Sequence, residues 1–238
     1  MAQNPEVAEK SLHLRGGWII LGAMKREPLA NNGVYHVFTK SIAGYCIFRD
    51  ELDYGRMINL MKYYRLEKPP TKFSAYMTLK DKDLFLSKYC SGKDQLVGIV
   101  AYCIMPTHLH IALKQLKGSG ISTFMGNVLN SYTRYFNTRS GRKGPLWQSR
   151  FKHVTVETDE QVSHLTRYIH LNPVTEHLCE DPGSWVYSSY KEYLGESADA
   201  MCTKDYRPFP TSSAYRDFVL DQKQYQRSLA HAKYLYLD

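Results

Sequence analysis

The chain has 238 residues, of which 43% are hydrophobic and 23% charged, a balance typical of globular proteins that excludes wholesale disorder. The longest apolar run, residues 18–24, is too short to cross a bilayer and lacks a cleavable-signal pattern, so we expect a cytoplasmic protein without membrane contact. The five cysteines are odd in number and never in CxxC spacing, which argues against a disulfide framework and a zinc knuckle.

Positive charge is concentrated in one part of the sequence. Residues 95–156 contain no Asp or Glu and eight of the 31 Lys and Arg, so the remaining 23 bases face all 23 acids and the net charge of +8 lies in this stretch. Solvated charged faces usually mix both signs, so an acid-free basic stretch favours a polyanionic partner. The eight bases are Lys114, Lys117, Arg134, Arg139, Arg142, Lys143, Arg150 and Lys152.

The first part of the chain predicts a strand followed by helices. Residues 34–48 are rich in β-branched and aromatic side chains, which favours a strand that turns near Ala43 and Gly44. Residues 50–64 carry apolar side chains at helical spacing and precede two prolines, so we predict a helix there. A second, short helix is predicted over residues 81–89, and the rest of residues 68–93 has no assigned role.

The second part predicts two adjacent antiparallel strands, a helix, a strand and another helix. Residues 96–105 form an almost unbroken apolar run, typical of a central strand, and a second strand follows over residues 108–113. Apolar residues recur at helical spacing from Ser119 to Gly141, and residues 150–156 alternate as in a strand. Thr158 and Gln161 form a capping box that opens the next helix, and Pro173 is predicted to end it. This order favours an α+β fold with helices packed on one antiparallel sheet.

Two histidines lie two residues apart in the strand predicted over residues 108–113. Alternate residues of a strand share a face, so His108 and His110 converge while Leu109 and Ile111 point to the core. This is the spacing of a metal-binding pair. Two core histidines bonded to backbone groups would have the same spacing, so the motif alone does not decide between the two interpretations.

The helix predicted over residues 158–172 carries a polar stripe. Tyr168 and Asn172 are one turn apart on it, and His164 lies one turn earlier. A separate apolar face can pack the helix against the protein core, so the polar stripe can face the sheet. A packing role for Tyr168 is the competing interpretation, because the chain has 19 tyrosines.

Four motifs, in this order, resemble the single-tyrosine HUH transposases, especially their REP-associated branch. They are His108-Leu109-His110 after Met105-Pro106, and the stretches at residues 146–151 (LWQSRF), 167–174 (RYIHLNPV) and 185–190 (WVYSSY). The resemblance covers residues 35–195. Thr107 departs from the amide or acid usual before the first histidine, and residues 68–93 form an added or divergent segment.

The composition shifts from about Ser197 and a helical pattern then returns, which predicts a linker and a C-terminal helical extension (196–238) after an N-terminal segment (1–32) and a catalytic domain (33–195). The resemblance implies that the catalytic domain has a ferredoxin-like, HUH nuclease-like core, an antiparallel sheet with helices packed on it. It also implies that Tyr168 is the nucleophile and that His108, His110 and Asn172 hold a divalent metal. Two neutral imidazoles and an amide oxygen leave Mg²⁺ or Mn²⁺ its charge and open positions, which suits polarisation of a phosphate.

These roles imply a DNA transposase that cuts and rejoins single-stranded, hairpin-bearing DNA. Attack of the tyrosine on phosphorus would give a 5′-phosphotyrosine, which retains the bond energy for rejoining, so we expect no nucleotide cofactor. We expect the protein at the nucleoid and leave open whether it is a homodimer. The DNA phosphates and nucleobases would be held by the eight Lys and Arg residues of the stretch 95–156, together with Trp147 and Arg167.

Three other functions use parts of the same pattern. A replication initiator or relaxase shares the HUH chemistry but usually carries added regions that are not seen here. A non-catalytic single-strand binding protein would be expected to have lost Tyr168, His108 or His110, and all three are present. A zinc hydrolase would need a carboxylate near the histidines, which the acid-free stretch does not offer.

Overall fold

The computed structural model describes residues 28–89, 95–197, 199–203, 206 and 209–228. Most of the N-terminal segment, Cys90 and the last ten residues of the predicted helical extension therefore lie outside the described residues. Within the described ranges, the strands and the α-helices with defined bounds are β1 Val34–Lys40, α1 Glu51–Tyr64, α2 Phe73–Met77, α3 Lys82–Tyr89, β2 Val97–Ile104, β3 His108–Gln115, α4 Gly120–Arg139, β4 Lys152–Val156, α5 Asp159–Thr175, α6 Tyr190–Tyr193 and α7 Ser212–Asp221.

The four strands form one antiparallel sheet in the order β2-β3-β1-β4. With helices between β1 and β2 and between β3 and β4, this is the split βαβ arrangement of ferredoxin-like folds. The predicted α+β class and the antiparallel pairing of β2 with β3 are confirmed. No helix in the described ranges is long and apolar enough to span a membrane.

Successive side chains of β3 point to opposite faces of the sheet. Leu109, Ile111 and Leu113 are fully buried on one face and His108 and His110 lie on the other. The first face carries α1 and α4, which pack against each other, and the Gln115 side chain on this face accepts a hydrogen bond from the start of α4. Helix α5 packs on the second face, over β2 and β3. Every residue of β2 is buried, as its apolar run predicts.

Two predicted boundaries were wrong. Strand β1 ends at Lys40 instead of continuing to residue 48, because the chain turns through a short 3-10 segment in which Ala43 has φ 52°. Helix α5 continues past Pro173 to Thr175. Proline there removes one hydrogen bond, but Glu176 N–H still donates to the Asn172 carbonyl and Val174 is fully buried, so packing holds the last turn in place.

The tail packs on α5. Tyr215 of α7 is buried and its hydroxyl lies 2.6 Å from His170 Nδ1, while the Arg167 guanidinium lies 4.2 Å from the centre of the Phe218 ring. On the other side of the His170 ring, Nε2 lies 2.7 Å from Ser189 Oγ. Described residues of the predicted extension therefore share the core of the sheet domain.

Asp53 is a fully buried carboxylate on α1. It accepts hydrogen bonds from Arg49 (2.9 Å), Tyr135 (3.0 Å) and Arg139 (2.5 Å). Burial alone would raise the pKa of Asp53, but the hydrogen bonds from Arg49 and Arg139 outweigh it and hold the pKa below its usual value. Arg139 also pairs with Asp50, so it ties the end of α4 to the start of α1.

We expect Arg139→Gln to lower the free energy of unfolding by about 1–3 kcal/mol, because the buried Asp53 loses one of its charged donors. Urea unfolding followed by circular dichroism measures the change. Lys143→Gln, an exposed base four residues further on, is the control and should stay within about 0.5 kcal/mol of the parent. Equal stability of the two variants would contradict a structural role for Arg139.

The pH dependence of stability should reveal the buried His170. Burial lowers its pKa to about 3, below the usual 6.5, so the unfolded chain binds a proton in this range that the folded protein does not. The contribution of neutral His170 to the free energy of unfolding is therefore complete above pH 6.5 and is lost as pH falls towards 3. Between pH 6 and 4, His170→Gln should reduce the slope of unfolding free energy against pH by up to about 1.4 kcal/mol per unit. An unchanged slope would mean that His170 titrates normally.

Candidate active site

Pairing between β1 and β3 brings a third histidine to the predicted metal pair. His36 pairs with Ala112 across the two strands, two residues from the pair formed by Phe38 and His110 and on the same face of the sheet. His36 Nε2 and His110 Nδ1 share a hydrogen bond of 2.8 Å, and the two rings are stacked with their centroids 5.1 Å apart. His108 lies beside His110, with a centroid distance of 5.1 Å.

Each histidine of the HxH motif has its Nδ1 occupied by a neighbour. His108 Nδ1 lies 2.9 Å from the Thr107 hydroxyl, and His110 Nδ1 is bonded to His36. A second partner on one ring nitrogen orients the imidazole and leaves the other nitrogen for a metal. Thr107 thus occupies the position of the expected amide or acid and still offers His108 a hydrogen-bonding group.

The buried histidines are neutral at physiological pH. Burial lowers the pKa of His36 and of His108 to about 4, and the nearby Lys40 adds to the effect on His108. Burial also lowers the pKa of His110 well below its usual value, with further contributions from His36 and His108. A neutral imidazole has a free lone pair, so His108 and His110 fit the chemistry of metal ligands.

Tyr168 projects from α5 onto this cluster. Its ring makes edge-on contacts with His110 and His36, with centroid distances of 5.6 and 5.7 Å. The residue is 40% exposed, although most large apolar and aromatic side chains of the sheet domain are buried. Burial of the hydroxyl and the negative charge of Glu176 raise the pKa of Tyr168, whereas the Asn172 side chain opposes the increase. Tyr168 is therefore a partly exposed tyrosine whose ring lies beside two imidazoles.

Asn172 and Glu176 occupy the successive turns of α5 after Tyr168. Asn172 is buried and its Nδ2 donates to the Tyr168 carbonyl at 2.9 Å, so the amide is held against its own helix. Glu176 Oε1 lies 3.4 Å from His108 Nε2 and its side chain is 46% exposed. Within the described ranges, no three His, Cys, Asp or Glu side chains are arranged as a metal cluster.

Sequence reasoning missed His36, Lys40 and Glu176. The first two lie on alternate positions of β1, a periodicity visible in the sequence, but only the strand pairing places them beside His110 and His108. Glu176 was missed because α5 was expected to end at Pro173. Its presence corrects the expectation that no carboxylate lies near the histidines.

The predicted nucleic-acid contacts divide between the two faces of the sheet, and several have structural partners. Lys152 pairs with Phe38 and is exposed on the His110 face. Arg134 and Arg139 lie on α4, and Arg142 and Lys143 lie in the loop after it. Arg139 and Lys117 are in ion pairs with acids from the first part of the chain, so the stretch without acids is partly neutralised in space. Arg142 bonds to Asn137 and the Pro145 carbonyl, the Lys114 ammonium lies 5.2 Å from the Tyr206 ring centre, and Arg150 is exposed.

Two further predicted contacts have partners within the protein. Trp147 is half-buried and its indole N–H donates to the Leu129 carbonyl and the Thr133 hydroxyl, so it fastens the loop before β4 to α4. Arg167 is buried between His164 and Phe218, where its Nη2 lies 2.7 Å from His164 Nδ1. Arg167 therefore has little exposed surface, whereas part of the Trp147 side chain stays exposed.

Comparison with known proteins agrees with the sequence motifs. Residues 78–172 match the family model described as "Transposase IS200 like". The chain is 28% identical over 101 residues to a protein of Haemophilus influenzae whose name assigns it to the REP-associated tyrosine transposases, and the match covers 38% of this chain and 57% of that protein. The chain thus spans little more than half the length of this relative.

A solved structure titled as a REP-associated tyrosine transposase bound to a REP hairpin is 13% identical, with a TM-score of 0.48 over 80% of this chain and 96% of that chain. The family match and the curated relative confirm the resemblance seen in the motifs. The matched family region contains His108, His110, Tyr168 and Asn172, and ends before Glu176.

Proposed function

We propose that this chain cleaves and rejoins single-stranded DNA through Tyr168. The premise is that residues 78–172 match the IS200-like transposase family model and that the chain is similar to a REP-associated tyrosine transposase. The observation that carries the proposal is the convergence of Tyr168 with His110 and His36 at an accessible edge of α5. A structural tyrosine would be expected to bury its ring among apolar side chains. This one lies against imidazoles with part of its surface open.

In the proposed reaction the Tyr168 oxygen attacks the scissile phosphorus. A bond forms between the phenol oxygen and phosphorus, the bond from phosphorus to the 3′ oxygen breaks, and the tyrosine proton leaves while the 3′ oxygen gains one. The 5′ phosphate stays on the tyrosine until a 3′ hydroxyl attacks it and restores the phosphodiester. A phenol with an ordinary pKa near 10 needs about 4 kcal/mol to ionise at pH 7, and burial here increases that cost.

We assign His108, His110 and Asn172 as the residues that would hold Mg²⁺ or Mn²⁺, with Glu176 as an additional ligand or a partner of His108. The support is the neutral state of the two histidines, their occupied Nδ1 atoms and the distance of 3.4 Å between His108 Nε2 and Glu176. Such an ion would polarise the scissile phosphate and stabilise the departing 3′ oxygen.

The DNA strand to be cut would lie along the face of the sheet that carries His110. Lys40 is exposed on β1 at the position paired with His108, and Lys152 lies on β4 beside Phe38. These two cations lie on the face of the sheet that carries His110, where they can neutralise phosphates of a strand that crosses it. Because the motifs and the relative from Haemophilus influenzae point to the REP-associated tyrosine transposases, we propose a strand adjoining a hairpin as the substrate.

Substitution of the nucleophile tests the proposal directly. Tyr168→Phe removes one oxygen and keeps the ring against His110 and His36, so stability should change little while the covalent DNA adduct disappears. End-labelled hairpin oligonucleotides with a single-stranded flank are incubated with Mg²⁺ and resolved by denaturing electrophoresis, and the adducted peptide is identified by mass spectrometry. Tyr187→Phe, on another aromatic of the same domain, is the control and should cleave normally. An adduct on any residue other than Tyr168 would refute the proposal.

Metal binding is tested without reference to activity. In calorimetric titration with Mn²⁺, the double variant His108→Ala/His110→Ala should show no specific binding, and Glu176→Gln should bind about tenfold more weakly. Glu160→Gln, an exposed carboxylate at the start of the same helix, is the matched control and should bind as the parent does. If the double variant retains parental Mn²⁺ affinity, or cleaves DNA at the parental rate in EDTA, the assigned site is wrong.

A further inference from the structure

A groove on the α1/α4 side of the sheet plays no part in the proposed cleavage. It has a volume of about 920 Å³, within the roughly 300–1,000 Å³ typical of ligand sites. Tyr168 lies on the opposite side of the sheet, below α5. The α1/α4 groove, as we call it, is lined by α1, by the loop and helix that follow it, and by α4, with Arg56, Tyr64, Lys72, Phe73, Arg134 and Tyr135 as its large polar and aromatic residues.

Aromatic rings and one guanidinium form a stacked platform in this groove. The Phe73 and Tyr64 rings are nearly parallel, at an angle of 23° and a centroid distance of 5.7 Å. The Arg56 guanidinium lies 4.5 Å from the centre of the Tyr135 ring and 5.5 Å from that of Phe73. A guanidinium held in this way keeps its N–H edges available for a phosphate while its faces stay against the rings.

The charge of the groove is positive and largely unpaired. Within the described parts of the chain, Arg56, Lys72 and Arg134 have no carboxylate partner, whereas Arg139 at one end is committed to Asp50 and Asp53. Glu67 is the acidic residue of the lining, and its carboxylate is paired with Lys117 at 3.2 Å. An anion entering the groove would therefore meet three free cations.

We propose that the α1/α4 groove binds unpaired nucleotides of a DNA strand, with bases stacked on the aromatic platform and phosphates paired with Arg56, Lys72 and Arg134. Recessed aromatic rings require exposed base faces, which a duplex keeps stacked inside its helix, so the occupant is single-stranded. An acidic peptide would satisfy the cations but not the rings. The inference rests on the proposed function only in taking DNA as the polyanion, and it places a second contact away from the scissile phosphate.

The segment after α1 acquires a role through this groove. The family match begins at residue 78, inside the stretch 68–93 that was expected to be an added or divergent segment, so α2 lies just before the match. Helix α2 contributes Phe73 to the groove, and the preceding residue contributes Lys72. Tyr76 anchors α2 by packing with Tyr63 and Leu86 in a small cluster. The segment after α1 therefore forms one wall of the proposed contact beside α1 and α4.

The test combines affinity, salt dependence and crosslinking in the full chain. Binding of a fluorescent oligothymidylate is measured by anisotropy at several salt concentrations for the parent, Arg56→Gln, Arg134→Gln, Phe73→Leu and Lys80→Gln. Lys80 is an exposed lysine shortly after α2. It does not line the groove, so it serves as the matched control. Circular dichroism confirms the fold of each variant.

Arg56→Gln and Arg134→Gln should each weaken binding about five- to tenfold and reduce the slope of log affinity against log salt by about 0.7 per lost phosphate contact. Phe73→Leu should weaken binding to a similar extent with an unchanged slope, because stacking is not electrostatic. Lys80→Gln should match the parent. Oligonucleotides carrying 5-iododeoxyuridine should crosslink to peptides containing Tyr64, Phe73 or Tyr135.

Parental affinity in all three groove variants, or crosslinks confined to the Tyr168 face, would overturn the proposal, as would equal competition by a blunt duplex or by polyglutamate. Adduct formation at Tyr168 is measured in parallel with saturating hairpin DNA. Loss of the adduct with intact groove crosslinks would refute the cleavage function alone, and an intact adduct without groove crosslinks would refute the groove alone.

Discussion

The register between β1 and β3 is the constraint on which the candidate site depends. It sets Phe38 opposite His110 and places His36 two residues along β1 on the same face, so that the His36 and His110 imidazoles share a hydrogen bond. Side chains alternate along a strand, so a slip of one residue would turn His110 into the α1/α4 core and expose Leu109 and Ile111. The same apolar residues that stabilise the sheet therefore hold the polar cluster on the opposite face.

The sheet also separates two kinds of surface. Tyr168 and the histidines lie under α5, where burial and few free charges give a site suited to chemistry on one phosphate. The basic side chains without carboxylate partners and the stacked aromatic rings of the α1/α4 groove lie on the other face, where they could hold a DNA strand without contacting Tyr168. Because the acid-free stretch runs from one face to the other through β3, α4 and β4, a single basic run in sequence becomes two surfaces in space.

The sequence predicted the elements well where periodicity was long. The helices α1 and α4 and the β2-β3 pair follow from apolar spacing alone. The motif residues His108, His110 and Tyr168 could be proposed as site residues because two short periodicities place them on single faces. The partners of those residues needed tertiary information. Strand pairing brings His36 to His110, and buried Val174 carries α5 past Pro173 to Glu176. Arg139 and Trp147 looked like DNA contacts because their partners Asp53 and Leu129 are distant or uninformative in sequence.

Burial has opposite consequences for the two kinds of group in the site. It lowers the pKa of His108 and His110, which keeps their lone pairs free, and it raises the pKa of Tyr168, which keeps the proton on the phenol oxygen. Glu176 adds to the second effect, since its negative charge opposes a phenolate. The folded chain alone thus prepares the histidines but restrains the tyrosine. Positive charge brought to Glu176, whether from Lys40 or from a divalent cation, would relieve that restraint, so activation of Tyr168 would be coupled to occupation of the site.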